Sequence, residues 1–216
     1  MSLLPDDLAP LSVLLIGAGY LLGSLSGPLM LGRIRGDARH PQEPGESEDA
    51  VPAARSVRWG GTAIDVGKAA LAAWLALRLA PVGDALPVTA HGYLAGMAAM
   101  LGHAWPVWHR FRGAAGPAAL AGCLLVLWPT ALVITVVAGL LALLWCGYRG
   151  LSTVLATAVT LPLLAWLGDA DVPRLAFALS APMLLVITHS RHLLALRAGT
   201  EPRFARARLL HRWRRG

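Results

Sequence analysis

The sequence predicts an all-α polytopic membrane protein with about seven transmembrane helices, its N-terminus outside and its C-terminus cytoplasmic. Three observations carry that prediction. The 216-residue chain is 56% hydrophobic and only 14% charged, far from the usage of water-soluble domains. Its apolar residues gather in long runs, as bilayer-crossing helices require. The charges between the runs sort by sign. Arg33, Arg35, Arg39, Arg55, Arg58, Arg110, Arg112, Arg149 and the C-terminal arginines fall in one set of connections, and Asp6, Asp7, Asp84, Asp169 and Asp171 in the other. Basic residues stay in short cytoplasmic loops, which sets the orientation.

The first run, Leu11 to Leu31, carries no charge. About twenty residues at roughly 1.5 Å each cross a hydrocarbon core of about 30 Å. It does not read as a signal peptide, because Asp6 and Asp7 precede it and Arg33 and Arg35 follow as a stop-transfer flank would. Gly19, Gly23 and Gly27 recur every four residues, baring one helical face for close packing. Residues 33–63 are the one long non-apolar stretch, expected as a cytoplasmic loop. Its acidic part, Glu43 to Asp49, suits a solvated tether, and Arg55 and Arg58 ahead of Gly60 and Gly61 suit either topology setting or an anion.

Six apolar segments follow, at Ile64 to Leu79, Leu86 to Val107, Ala114 to Trp128, Thr130 to Cys146, Leu151 to Leu167 and Val172 to Thr188. Residues 1–200 are thus expected to form a single helical domain. Residues 201–216 form a basic tail that interleaves Arg206, Arg208, Arg212 and Arg214 with Phe204, Leu209, Leu210 and Trp213, as a membrane-surface helix or a disordered tail would. The formal charge of +7 is accounted for by topology and anionic lipid headgroups, so nucleic acid is not an expected partner. Cys123 and Cys146 lie within apolar segments and are expected to pack rather than pair.

The chemistry-bearing residues fall in three places. Asp65 and Lys68 stand one helical turn apart, with Arg58 just before them. The stretch GHAWPVWHRFRGAAG, Gly102 to Gly116, holds His103 and Arg112 before a small-residue turn. Near the C-terminus His189, His192, Arg197 and Glu201 follow the last apolar run. Cations and helix N-termini suit a phosphate-bearing substrate. A metal held by His103, His189 and His192 lacks supporting carboxylate or cysteine spacing, so no metal is expected.

Four segments in order resemble the bacterial acyl-phosphate-dependent glycerol-3-phosphate acyltransferases: YLLGSLSGPLMLGRIRG from Tyr20, DVGKA from Asp65, GHAWPVWHRFRG from Gly102 and HSRHLLALRAGTEPR from His189. The resemblance implies a seven-helix, multi-pass enzyme of the bacterial inner membrane. It would move an acyl group from acyl phosphate to glycerol 3-phosphate, giving lysophosphatidate for phospholipid synthesis, with no cofactor. It further implies that Arg58, His103 and His189 contact phosphate or substrate, that Arg112 replaces a lysine, and that Gly113 and Gly116 shape an anion-binding turn. Lys68 and Glu201 complete the expected binding set. Some positions depart from the pattern. Ala115 stands where the family has lysine, Ala119 where it has threonine, His192 where it has asparagine and Ala195 where it has arginine. The family's S-G-N loop is not recognisable between Gly45 and Arg55. Two readings follow: an active acyltransferase in which Arg55, Arg58, Lys68 and Arg112 supply the missing charge, or a degenerate relative that binds lipid, an acyl donor or a membrane partner.

Overall fold

A computed structural model of the chain describes residues 9–27, 52–80, 86–111, 113–168 and 170–202. As the sequence predicts, the regular elements among the described residues are helical. They are α1 (Ala9–Ser24), α2 (Pro52–Leu79), α3 (Val88–Ala104), a 3₁₀ turn (Val107–His109), α4 (Pro117–Leu127), α5 (Pro129–Cys146), α6 (Arg149–Leu167), α7 (Val172–Thr188) and α8 (Ser190–Arg197). The helices gather into two compact units, Met1–Leu127 and Trp128–Gly216.

In the first unit, small residues let backbones touch. A Cβ at Gly19 would meet the Ala95 carbonyl at 2.6 Å, and one at Gly23 would run into the Ala99 backbone, so α1 lies directly on α3. Gly102 returns the contact against Tyr20 and Ser24 of α1. The paired numbers rise together, so α1 and α3 are parallel. Gly27 sits instead on Gly61 of α2. Helix α2 runs antiparallel to α3, with Leu77 beside Gly92 and Lys68 beside His103. Helix α4 also runs against α3, with Leu127 on Gly92 and Cys123 on Gly96. At the start of α1 and α3, Ser12 Oγ and His91 Nε2 hydrogen-bond at 2.9 Å, a polar clamp that the sequence analysis does not single out.

In the second unit, Trp128 has non-helical backbone and Pro129 starts α5, where proline's missing N–H costs nothing. Gly147, at φ 81°, closes α5 with the αL cap typical of glycine. Thr135 of α5 and Thr160 of α6 hydrogen-bond at 2.7 Å, and Thr160 also donates to the Ala156 carbonyl. The Asp171 side chain accepts from Arg174 N–H and caps α7.

Three boundaries differ from expectation. The expected loop 33–63 is already helical from Pro52, because Ala53, Ala54 and Arg55 propagate a helix as well as apolar residues do. The last apolar segment is followed by a further short helix, α8, bent from α7 by 59°, which the apolar runs do not mark. Helix α4 has 11 residues, about 16 Å, less than a hydrocarbon core. Among the described residues, α5 and α6 are long and apolar enough to span a membrane, and the bent α7–α8 pair would add a third. The arginine-rich tail from Arg203 lies outside the described residues.

Candidate functional site

Three chain segments meet at one end of the first unit. Helix α1 ends at Ser24, four residues before Pro28, which has no N–H to give the Ser24 carbonyl. The Ser24 hydroxyl turns back to the Tyr20 carbonyl at 2.8 Å, and Tyr20 Oη donates to the Trp105 carbonyl at 2.7 Å. The non-helical Leu25 and Ser26 leave backbone groups for other partners. Helix α2 supplies them. Asp65 Oδ1 accepts from Gly27 N–H at 3.1 Å, and Lys68 Nζ donates to the Leu25 carbonyl.

Asp65 and Lys68 pair at 2.8 Å, as their spacing of three predicts. His103, at the end of α3, brings Nδ1 to 3.1 Å from Lys68 Nζ and 3.7 Å from Asp65 Oδ1. All three side chains are sealed: Asp65 is 5% exposed, Lys68 7% and His103 6%. Buried charges persist only when paired and hydrogen-bonded, and here each has a partner.

The turn that follows α3 folds over this cluster. Arg110 and Phe111 both take left-handed backbone, φ 53° and 59°, a combination that costs non-glycine residues about 1–2 kcal/mol each. Phe111 N–H anchors the reversal on the Pro106 carbonyl at 3.0 Å. Gly113 then passes so close to the His103 and Ala104 carbonyls that any side chain would collide with them. Ala114 N–H donates to the His103 carbonyl at 3.3 Å, and the Ala115 backbone lies beside the His103 ring. Gly116 is buried, its carbonyl opens α4 by accepting from Leu120 N–H at 2.9 Å, and Pro117 begins the helix.

The second unit holds the other predicted group. His189 is buried between α7 and α8, with Nδ1 bonded to the Leu185 carbonyl at 2.9 Å. A carbonyl only accepts, so Nδ1 carries the proton and Nε2 is left as an acceptor. His192 lies 6.0 Å away ring to ring, and both pack over Gly150 at the start of α6. Gly199, at φ 73°, lets the chain turn back so that Thr200 and Glu201 N–H both reach the Ala195 carbonyl. Glu201 Oε1 thereby meets His192 Nδ1 at 2.9 Å.

The structure thus joins Lys68, His103, Gly113 and Gly116 in one unit and His189 with Glu201 in the other. Arg58 belongs to the first turns of α2, but its side chain lies outside the described residues, and Arg112 lies outside them altogether. The Leu25 carbonyl and the Gly27 N–H are partners that the sequence does not signal. Among the described residues no group of three or more His, Cys, Asp or Glu could hold a metal.

Comparison with known proteins places this geometry in a lineage. The family described as glycerol-3-phosphate acyltransferase matches residues 13–199. A glycerol-3-phosphate acyltransferase of Pseudomonas syringae pv. syringae is 35% identical over 88% of this chain and 97% of its own length. One from Gloeobacter violaceus is 34% identical over 90% of this chain and 95% of its own. The fold is shared with the crystal structure of PlsY (YgiH), an integral membrane glycerol 3-phosphate acyltransferase, in its glycerol 3-phosphate form. That likeness has a TM-score of 0.74, at 23% identity, over 92% of this chain and 98% of that one. The lysophosphatidic acid form of the same enzyme matches with a TM-score of 0.72 over 90% of this chain and 95% of that one. With the family matching across nearly all of its helices, the chain belongs to the glycerol-3-phosphate acyltransferases.

Proposed function

We propose that this protein is an active membrane acyltransferase that moves an acyl group from acyl phosphate to the 1-hydroxyl of glycerol 3-phosphate. The hydroxyl oxygen attacks the acyl carbonyl carbon, the bond from that carbon to the phosphate oxygen breaks, and the hydroxyl proton leaves with inorganic phosphate. Lysophosphatidate is the other product. The observation that carries this reading is the family match from residue 13 to residue 199, which includes the glycine turn, His189 and His192. Such a reaction needs little covalent chemistry from the protein: two phosphates must be held, and the hydroxyl aimed.

In this reading the N–H groups of Gly113, Ala115 and Gly116 receive phosphate, with Arg58 and Arg112 as the cations that the sequence offers. In the second unit His189, its proton committed to Leu185, keeps Nε2 as a hydrogen-bond acceptor. Glu201 holds His192, which stands in place of the family's asparagine as a polar contact. The wider assignment is a multi-pass protein of the bacterial inner membrane with about seven crossings, N-terminus outside, and arginines against anionic lipid headgroups.

The test is turnover in lipid nanodiscs with acyl phosphate and labelled glycerol 3-phosphate. Lysophosphatidate is the expected product. Acyl phosphate left intact under conditions where the Pseudomonas relative consumes it would contradict the reading.

A further inference from the structure

The Lys68 ammonium has three hydrogens, and three acceptors inside the bundle take them: Asp65 Oδ1 at 2.8 Å, the Leu25 carbonyl, and His103 Nδ1 at 3.1 Å. A lysine so engaged has none left for an anion. What it controls instead is His103. An ammonium only donates, so Nδ1 accepts and the neutral ring carries its proton on Nε2. The Ala115 backbone lies beside the ring, and its carbonyl is the group there that could take the Nε2–H. Ala114 N–H is fixed to the His103 carbonyl, and Gly113 is pressed against the same carbonyl. The turn is therefore fastened to one histidine through both its ring and its main chain.

We propose that Asp65 and Lys68 are positioning residues: they hold His103 so that its Nε2–H grips Ala115, which fixes the turn that receives the phosphate of glycerol 3-phosphate. This rests on the acyltransferase reading above. Ala115 and Ala119 bring no polar side chain to that turn, so its anion recognition depends on backbone N–H direction. Rotation of a single peptide plane replaces a donor by an acceptor. Residues 113–116 carry no charged side chain, so the direction of their N–H groups depends on a rigid support beneath them, and the buried Asp65–Lys68–His103 relay is that support. Lys68 is accordingly a support for the phosphate site rather than one of its ligands.

Hydrogen exchange of the full chain in nanodiscs tests this together with the KM and Kd for glycerol 3-phosphate. Lys68→Met is expected to speed amide exchange at residues 113–116 and to raise KM about tenfold, the loss of roughly one hydrogen bond, with a smaller change in kcat. Exchange in α5 to α7 should stay as it was. His103→Gln places a side-chain N–H where Nε2–H stood and should keep most of the affinity. His103→Asn can accept from Lys68 but cannot reach Ala115, and should lose it. The proposal is overturned if Lys68→Met leaves the turn's exchange unchanged or raises it equally everywhere, or if the Asn and Gln variants behave alike. The Gln and Asn pair, with Asp65 and Lys68 intact, decides the matter if Lys68→Met does not fold. A wild-type protein that makes no lysophosphatidate would sink the acyltransferase reading, while exchange at 113–116 would still decide the relay.

Discussion

A salt bridge between Asp65 and Lys68 is foreseeable from their spacing, yet the use to which the pair is put is not. Their further partners, the Leu25 carbonyl for Lys68 and Gly27 N–H for Asp65, lie about forty residues earlier, beyond the end of α1 at Ser24. Removing one member leaves an uncompensated buried charge, so Asp65→Ala should cost about 3–5 kcal/mol in thermal unfolding. The double variant Asp65→Leu with Lys68→Met should recover most of that stability while glycerol 3-phosphate affinity stays low. Full recovery of both would mean that the pair only holds helices together. Gly113→Val puts a branched side chain against the His103 and Ala104 carbonyls, and should abolish phosphate binding while costing about 1–3 kcal/mol. The left-handed Arg110 and Phe111 give no such sequence signal, since neither is a glycine, asparagine or aspartate. Unaltered binding by Gly113→Val, read by isothermal titration, would show that the turn can relax.

At the scale of elements, hydropathy finds the helices and packing fixes their ends. The segments expected at Thr130, Leu151 and Val172 begin within two residues of α5, α6 and α7, since apolar runs bounded by proline, glycine and arginine leave little choice. The start of α2 is not legible, because an alanine- and arginine-rich stretch reads equally as loop or helix. The glycine repeat of α1 is legible as a packing face, but its partners are not: Gly19 and Gly23 meet α3, and Gly27 meets α2. Gly23→Ile should therefore push α1 off Ala99 and lower the melting temperature sharply. Gly17→Ala, with nothing within 4 Å of the added carbon, should leave it unchanged. Equal effects of the two would refute close backbone contact. Thr135→Val removes the hydroxyl that joins α5 to α6 and should cost about 0.6–1.7 kcal/mol, modest because Thr160 keeps its bond to Ala156.

For the whole molecule, the fold class follows from composition and from the sorting of charges, and the lineage from four short segments in fixed order. The catalytic standing does not follow from either. Ala115 and Ala119 remove side chains from the turn, but the turn keeps Gly113 against α3, Ala114 on His103 and Gly116 at the head of α4. A phosphate site made of main chain survives side-chain loss as long as its support holds. Turnover of acyl phosphate with glycerol 3-phosphate by the purified chain in nanodiscs is the direct measure of that claim. Equimolar lysophosphatidate and inorganic phosphate are predicted, falling together in Lys68→Met at limiting glycerol 3-phosphate. Neither product from the wild-type chain, with its relative active alongside, would contradict it.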